Sequence, residues 1–290
     1  DLVRGDSSHL HGTNLLCCDP FVLFVCIAGF YQFQELYIIR CQIGVAALGT
    51  LIGAGGGIIF VPLFLYMFPD WTPAQIVGTS LFVVMCNAIS GSVAYVKQKK
   101  VLYSAAILFS IATFPGSYLG AIASGNFDEN SFRLWFGLFL LCMSGFIGFK
   151  NMKKGERKEE QLTRSEVTYN KPLGVFISIF VGFISSIFGI GGGLIHVPAL
   201  IYLMSFPTHM ATATSHFILA ISTMVGVAEH FILDHIRFFV AIPCSIGAIF
   251  GAQLGAQISK RLKAKSILMV LSVGVGLLAL RLIYTSHKLF

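Results

Sequence analysis

The chain is short of charge. Asp, Glu, Lys and Arg make up 11% of its 290 residues while hydrophobic types make up 56%, and a soluble domain carries about 25% charged residues. That shortage excludes an ordinary water-soluble domain. Segments of about ten alternating apolar and polar residues are also missing, which excludes a membrane β-barrel and leaves helices as the way to satisfy backbone polar groups in lipid. Seven cysteines (Cys17, Cys18, Cys26, Cys41, Cys86, Cys142, Cys244) form no Cys-x-x-Cys pair or ligand-like cluster. No metal site and no cofactor are therefore expected. Cys17-Cys18 beside an apolar segment has the placement of a lipidation site, but small apolar residues used for packing are the simpler reading. No nucleotide-phosphate loop occurs, and neither does a Gly-x-Ser-Gly turn, a His-Glu-x-x-His helix or a pair of mid-membrane aspartates. ATP hydrolysis and intramembrane catalysis thus lack their usual residues, and no catalytic residue is assigned.

What is present is apolar sequence in lengths that span a bilayer, with a mean hydropathy of +0.80. The expectation is an all-α polytopic membrane protein with the lipid bilayer as its solvent. The net charge of +7 does not point to nucleic acid, because the basic residues lie between apolar segments, as topology-setting loop charges do. Four parts follow: residues 1–41, a tail with one membrane segment; residues 42–149, a first membrane repeat; residues 150–171, a charged cytoplasmic linker; and residues 172–290, a second membrane repeat. The linker holds seven Lys/Arg and four Glu.

Glycine punctuates both repeats at one place. Gly53-Ala54-Gly55-Gly56-Gly57-Ile58-Ile59-Phe60-Val61-Pro62 is matched 136 positions later by Gly189-Ile190-Gly191-Gly192-Gly193-Leu194-Ile195-His196-Val197-Pro198. Each glycine costs about 1 kcal/mol of helix propensity relative to Ala, and irregular backbone at membrane depth is tolerated only inside protein or along a polar cavity. Further on, an offset of 135 pairs Thr79-Ser80 with Thr214-Ser215, Gly91 with Gly226, Gly116 with Gly251 and Gly120 with Gly255. Gly116/Gly120 and Gly251/Gly255 read as helix-packing ridges.

Loop charges orient the repeats. Lys97, Lys99 and Lys100, the central linker, and Lys260, Arg261, Lys263 and Lys265 together hold 14 of the 20 Lys and Arg residues. Placing all three loops in the cytoplasm inverts one repeat against the other, provided residues 42–68 and 172–204 are each a re-entrant pair of half-helices meeting at the glycines. About 12 residues at 1.5 Å each reach roughly 18 Å, or mid-bilayer. The competing arrangement, two parallel four-helix repeats, leaves residues 260–265 outside.

A half-helix that starts at a glycine run offers free N–H groups and a dipole of about +0.5 charge to an anion. The candidate substrate-binding residues are therefore Gly53, Gly55, Gly56, Gly57, Gly189, Gly191, Gly192 and Gly193. Thr79, Ser80, Thr214, Ser215 and Asn87 join them as donors, and His196 and His216 as donors or carriers of a coupling proton. Close helix packing is the competing account of the glycines, helix-to-helix bonding that of the hydroxyls, and a hydrogen-bonded core position that of the histidines. Glu229-His230 sits a turn from Asp234-His235 and reads as interfacial.

Two copies of a Gly-x-Gly-Gly-Gly motif ending in Val-Pro, in a two-half membrane protein, resemble the sulfite exporter TauE/SafE family over residues 44–284. The first copy carries Ala54 and Phe60 where the second carries Ile190 and His196. The resemblance implies a secondary transporter of sulfite, sulfonates or related sulfur-containing and small organic anions, working by alternating access, with a small anion and a coupling proton or cation as partners. A passive anion channel and an intramembrane enzyme are the alternatives.

Overall fold

Ten α-helices and no strand make up the described residues of the computed structural model, which are 42–153, 169–261 and 264–287. The tail, its expected membrane segment and most of the central linker lie outside the described residues, as do Cys17 and Cys18. The helices are α1 (Gln42–Ile52), α2 (Gly57–Met67), α3 (Pro73–Lys97), α4 (Tyr103–Ser124), α5 (Glu129–Lys153), α6 (Lys171–Phe188), α7 (Gly193–Tyr202), α8 (Thr208–Ile232), α9 (Phe238–Ser259) and α10 (Ala264–His287). Six of them (α3, α4, α5, α6, α8 and α9) are long and apolar enough to cross a membrane. Helix α5 runs to Lys153, into the segment read as linker.

Local chemistry sets several of these boundaries. The side chain of Thr72 accepts from Gln75 N–H while Gln75 reaches back to the Thr72 N–H, a capping box that starts α3 with Pro73 in its first turn. Asn170 caps α6 through the Leu173 N–H. Ahead of α5, Asp128 accepts from the Ser131 N–H at 3.1 Å, and hydrogen bonds from Ser131 hold the Asp128 carboxyl below the usual carboxylate range. Helices α3 and α8 both give way to a residue at positive φ, Lys99 (56°) and Asp234 (55°), again 135 apart.

Phe60, Phe64, Phe109, Phe132 and Phe136 are among the largest fully buried side chains. Large apolar residues such as Trp135, Phe176, Phe239, Phe250 and Leu277 are instead exposed, more than half of each residue's surface in every case. In water such a belt marks an interaction surface, and around a bundle of spanning length it is the surface offered to lipid. Inside the bundle α4 packs on α6, α3 on α8 and α9, and α5 on α10. Glycine makes the α4–α6 approach possible, and a further one between α9 and α1. A Cβ at Gly116 or Gly120 of α4 would collide with the carbonyl oxygens of Ile179 and Phe183 on α6, and a Cβ at Gly251 or Gly255 of α9 with those of Ile43 and Ala47 on α1. The ridges read from the sequence are thus contact surfaces, and each grips the helix that leads into a glycine turn of the other half.

Candidate functional site

Helix α1 stops at Ile52 and α2 starts at Gly57; α6 stops at Phe188 and α7 starts at Gly193. Between them Gly53, Gly55 and Gly56 take φ of 82°, 71° and 84°, and Gly189, Gly191 and Gly192 take 70°, 75° and 70°. A left-handed conformation costs an L-residue with a Cβ roughly 1–2 kcal/mol, so six of the eight candidate glycines are required by backbone geometry alone. Gly57 and Gly193 are required by proximity. A Cβ on Gly57 would lie 2.7 Å from the Gly189 carbonyl oxygen and from Ile190 Cα, and one on Gly193 would lie 2.6 Å from Ala54 Cα. The two turns therefore touch backbone to backbone, and residues 53–58 and 189–194 are buried.

Here α2 and α7 begin. In α2 the first helical bonds run from Ile59 and Phe60 N–H to the Gly56 carbonyl, and in α7 from Ile195 and His196 N–H to that of Gly192. The N–H groups of Gly57, Ile58 and Leu194 precede these bonds, so they belong to the orphan donors of a helix start. Each turn thus delivers a positive helix end to one buried place.

The hydroxyls are arranged reciprocally. Ser80 of α3 donates to the Gly189 carbonyl at 3.0 Å, and Ser215 of α8 donates to the Gly53 carbonyl at 3.3 Å. Thr79 Oγ1 accepts from Arg237 N–H at the head of α9 (3.0 Å), and Thr214 Oγ1 accepts from Leu102 N–H at the head of α4 (3.1 Å). Each half's Thr-Ser pair thereby fixes a turn and a helix start belonging to the other half. The two serines use their hydroxyl protons on the turns' own carbonyls, so they hold the turns in place. Asn87 is similarly engaged: its Oδ1 accepts from Thr50 at 2.9 Å, and its Nδ2 donates to Ala46 and Ala248 carbonyls at 3.2 and 3.4 Å.

The two histidines differ. His196 Nε2 lies 3.2 Å from Ser178 Oγ, whose proton goes to the Gly174 carbonyl at 2.7 Å. That network assigns the proton to Nε2, and Nδ1 faces Gly192. His216 is fully buried, edge-on to Tyr95 with ring centroids 5.7 Å apart; neither ring nitrogen makes a hydrogen bond of normal geometry, and the backbone carbonyls of Asn87 and Gly53 face the ring. Farther along α8, His230 Nδ1 lies 3.1 Å from His235 Nδ1. Burial pulls the His235 imidazole below its ordinary value, opposed by the Asp234 carboxylate.

Two residues of the site were not picked out by sequence reasoning. Cβ atoms at both Gly55 and Gly191 would run into Leu219 and Val84, so these two side chains cover both turns at once. They are 135 apart and occupy matching places in α8 and α3, but an aliphatic residue in a membrane helix carries no signal that marks it. A cleft of about 560 Å³ at the far end of α2, lined by residues including Tyr66, Glu129 and Arg133, does not involve the glycine turns.

Comparison with known proteins bears on what this arrangement does. A profile described as sulfite exporter TauE/SafE matches residues 39–282. The chain is 36% identical over 266 residues to the probable membrane transporter protein YunE of Bacillus subtilis, covering 86% of this chain and 97% of that one. It is 31% identical over 228 residues to a probable membrane transporter protein of Xylella fastidiosa (77% and 84% covered), and 27% identical over 252 residues to the probable membrane transporter protein MJ0441 of Methanocaldococcus jannaschii (81% and 90% covered). No solved structure matches the chain significantly.

Proposed function

Given that the chain belongs to the sulfite exporter TauE/SafE family of membrane transporters and is a multi-pass membrane protein, we propose that it carries small sulfur-containing or organic anions by alternating access about the two glycine turns. The observation that carries this reading is the meeting of two helix N-termini, backbone against backbone, at one buried place. Two such ends favour negative charge, and glycine lets a ligand approach the backbone. Val84 and Leu219 close the turns in the conformation described, which suits a carrier caught with its site occluded.

We read the halves as inverted repeats with re-entrant α1–α2 and α6–α7 pairs. In support, hydrogen bonds and glycine contacts recur at offsets of 135 or 136: Ser80 to Gly189 with Ser215 to Gly53, Thr79 at Arg237 with Thr214 at Leu102, and Gly116 at Ile179 with Gly251 at Ile43. Each half in this reading holds the other's turn, so both turns change together when the halves rock.

Transport is tested in proteoliposomes. Purified protein is first screened by thermal shift against sulfite, thiosulfate, sulfate, taurine, sulfoacetate and simple carboxylates, because a ligand that binds only the folded state stabilises it by about 2.7 kcal/mol at 100 times its Kd. Uptake of a stabilising labelled anion is then measured with the lumen empty or loaded with the unlabelled form. A carrier takes up label faster into loaded vesicles, whereas equal rates indicate a passive channel. Orientation has its own test: in a background without native cysteines, single cysteines at Lys99 and Lys260 should be protected from an impermeant external thiol reagent in intact cells, while cysteines at Asn126 and His235 are labelled. Labelling at Lys260 with protection at Lys99 returns the parallel arrangement.

A further inference from the structure

The pairing between the halves breaks at several core positions, among them Phe60 with His196 and the one in α8 next to Ser215. Position 216 matches 81 at the offset of 135, so the imidazole of α8 stands where α3 has Leu81. The surroundings also correspond. A Cβ at Gly91 would collide with His216 Nε2 and lie 3.0 Å from Thr50, and a Cβ at Gly226 would lie 3.4 Å from Leu81 and 3.1 Å from Ser186. Leucine therefore fills this kind of niche without difficulty, since Leu81 is 1% exposed.

Histidine in the same niche is costly. Its ring carries at least one N–H in either neutral tautomer. A buried polar group without a partner forfeits its hydration, a cost that leucine avoids. Neither nitrogen of His216 completes a hydrogen bond of normal geometry, the backbone carbonyls of Asn87 and Gly53 offering only poorly formed contacts, and the residue is 0% exposed. Around the ring, α3 brings the Tyr95 phenol and the Asn87 carbonyl, the first turn brings the Gly53 carbonyl, and α1 brings the Thr50 methyl to the same glycine; among the described residues no carboxylate, lysine or arginine acts on it. The phenol proton itself goes to the Thr50 carbonyl at 2.8 Å. The neighbouring residue Ser215 donates to Gly53 of the first turn, which places His216 one residue from the proposed anion site.

Resting on the anion-transport reading, we infer that His216 is the proton site of the transport cycle, taking up one proton as an anion occupies the glycine turns and releasing it when the anion leaves. An anion in apolar surroundings is unfavourable unless opposed by positive charge, and a nearby anion favours the imidazolium over the neutral ring. The proton enters from the side that supplies the anion, resides on a ring nitrogen, and leaves to the side that receives it. A singly charged anion then crosses as a neutral pair. His196 is not equivalent, because its Nε2 proton is already donated to Ser178, whose own proton goes to the Gly174 carbonyl.

The test uses purified full-length protein in weakly buffered detergent at neutral pH with a pH indicator. Thiosulfate, sulfate and sulfoacetate are the probes, being ionised at that pH, so that any proton taken up is bound by the protein. The wild type should take up about one proton per bound anion, the direction set by an opposite charge beside a titrating group. His216→Gln and His216→Leu should bind anion with no proton uptake, while His235→Gln, in the loop after α8 and outside the turns, keeps it. His216→Leu, which restores the residue of the other half, should also melt above the wild type. Binding by the wild type without proton uptake, or uptake that persists in both His216 variants, overturns the inference and leaves the anion reading standing. Binding of none of the probes by the wild type defeats the anion reading for these anions and the inference with it.

Discussion

Gly57→Ala and Gly193→Ala should each cost about 3 kcal/mol of folding stability, the upper end of what overpacking usually costs. The added methyl at Gly57 meets the Gly189 carbonyl and Ile190 Cα, and the one at Gly193 meets the Gly53 carbonyl and Ala54 Cα. These are backbone atoms, which cannot rotate away as a side chain does. Relief requires the two turns to separate, and Ser80 and Ser215 resist that through their bonds to the same turns. Because both substitutions push the same two turns apart, the double variant should lose less than the sum of the single ones. Gly145→Ala is the control: nothing lies within 4 Å of a Cβ there and the residue is within α5, so alanine should be neutral or gain up to about 1 kcal/mol of helix propensity. Thermal unfolding in detergent gives the comparison. Equal melting temperatures for Gly57→Ala, Gly193→Ala and Gly145→Ala would mean that the turns do not touch.

The second large effect is expected at Leu219. It is 1% exposed and lies over both Gly55 and Gly191, so Leu219→Ala should cost about 2–5 kcal/mol, as large-to-small core substitutions do. A packing residue would show only that loss. A residue that closes the site would show a second consequence, since the cavity opens directly above both glycine turns. Under the carrier reading, Leu219→Ala should pass anion into empty and loaded vesicles at the same rate, a leak in place of exchange. A destabilised variant that still exchanges faster into loaded vesicles would assign Leu219 to packing alone.

Much of this arrangement was legible in the sequence, and the illegible part has a physical reason. Glycine at a left-handed φ has no substitute without strain, so the two runs advertise themselves, and the small-residue ridges follow from the same lack of a Cβ. Offsets of 135 and 136 pair residues of the two halves in the sequence. Equivalence is not contact, however. That Ser80 binds the turn of the opposite half, where the sequence suggests a donor to the anion, depends on how the helices cross. Asn87 and the two serines read as ligands because polar groups in an apolar helix need partners, and the structure supplies protein partners: Thr50, Ala46 and Ala248 for Asn87, and the turn carbonyls for the serines. Val84 and Leu219 stayed hidden because an aliphatic side chain over a site is composed like any other in a membrane helix. The difference between His196 and His216 is likewise invisible in sequence, since it rests on one hydroxyl, that of Ser178.

The claim that the paired turns hold an anion is tested most directly by the anion-induced rise in melting temperature of three single variants. Gly56→Ala and Gly192→Ala place a methyl at the start of α2 and α7, against the Phe60 ring at 3.0 Å and Val181 at 2.8 Å, where side chains rather than backbone must give way. Both also strain a left-handed residue by about 1–2 kcal/mol, so they should melt somewhat lower and still fold. Gly251→Ala sits on the ridge against α1, where the added methyl collides with the Ile43 carbonyl oxygen and the Ala46 Cβ, and should melt lower for packing reasons alone. With the anion that most stabilises the wild type, Gly251→Ala should keep the full rise, while Gly56→Ala and Gly192→Ala should both lose most of it. Wild-type affinity in both turn variants, or an equal loss of affinity in Gly251→Ala, would contradict an anion site at the glycine turns.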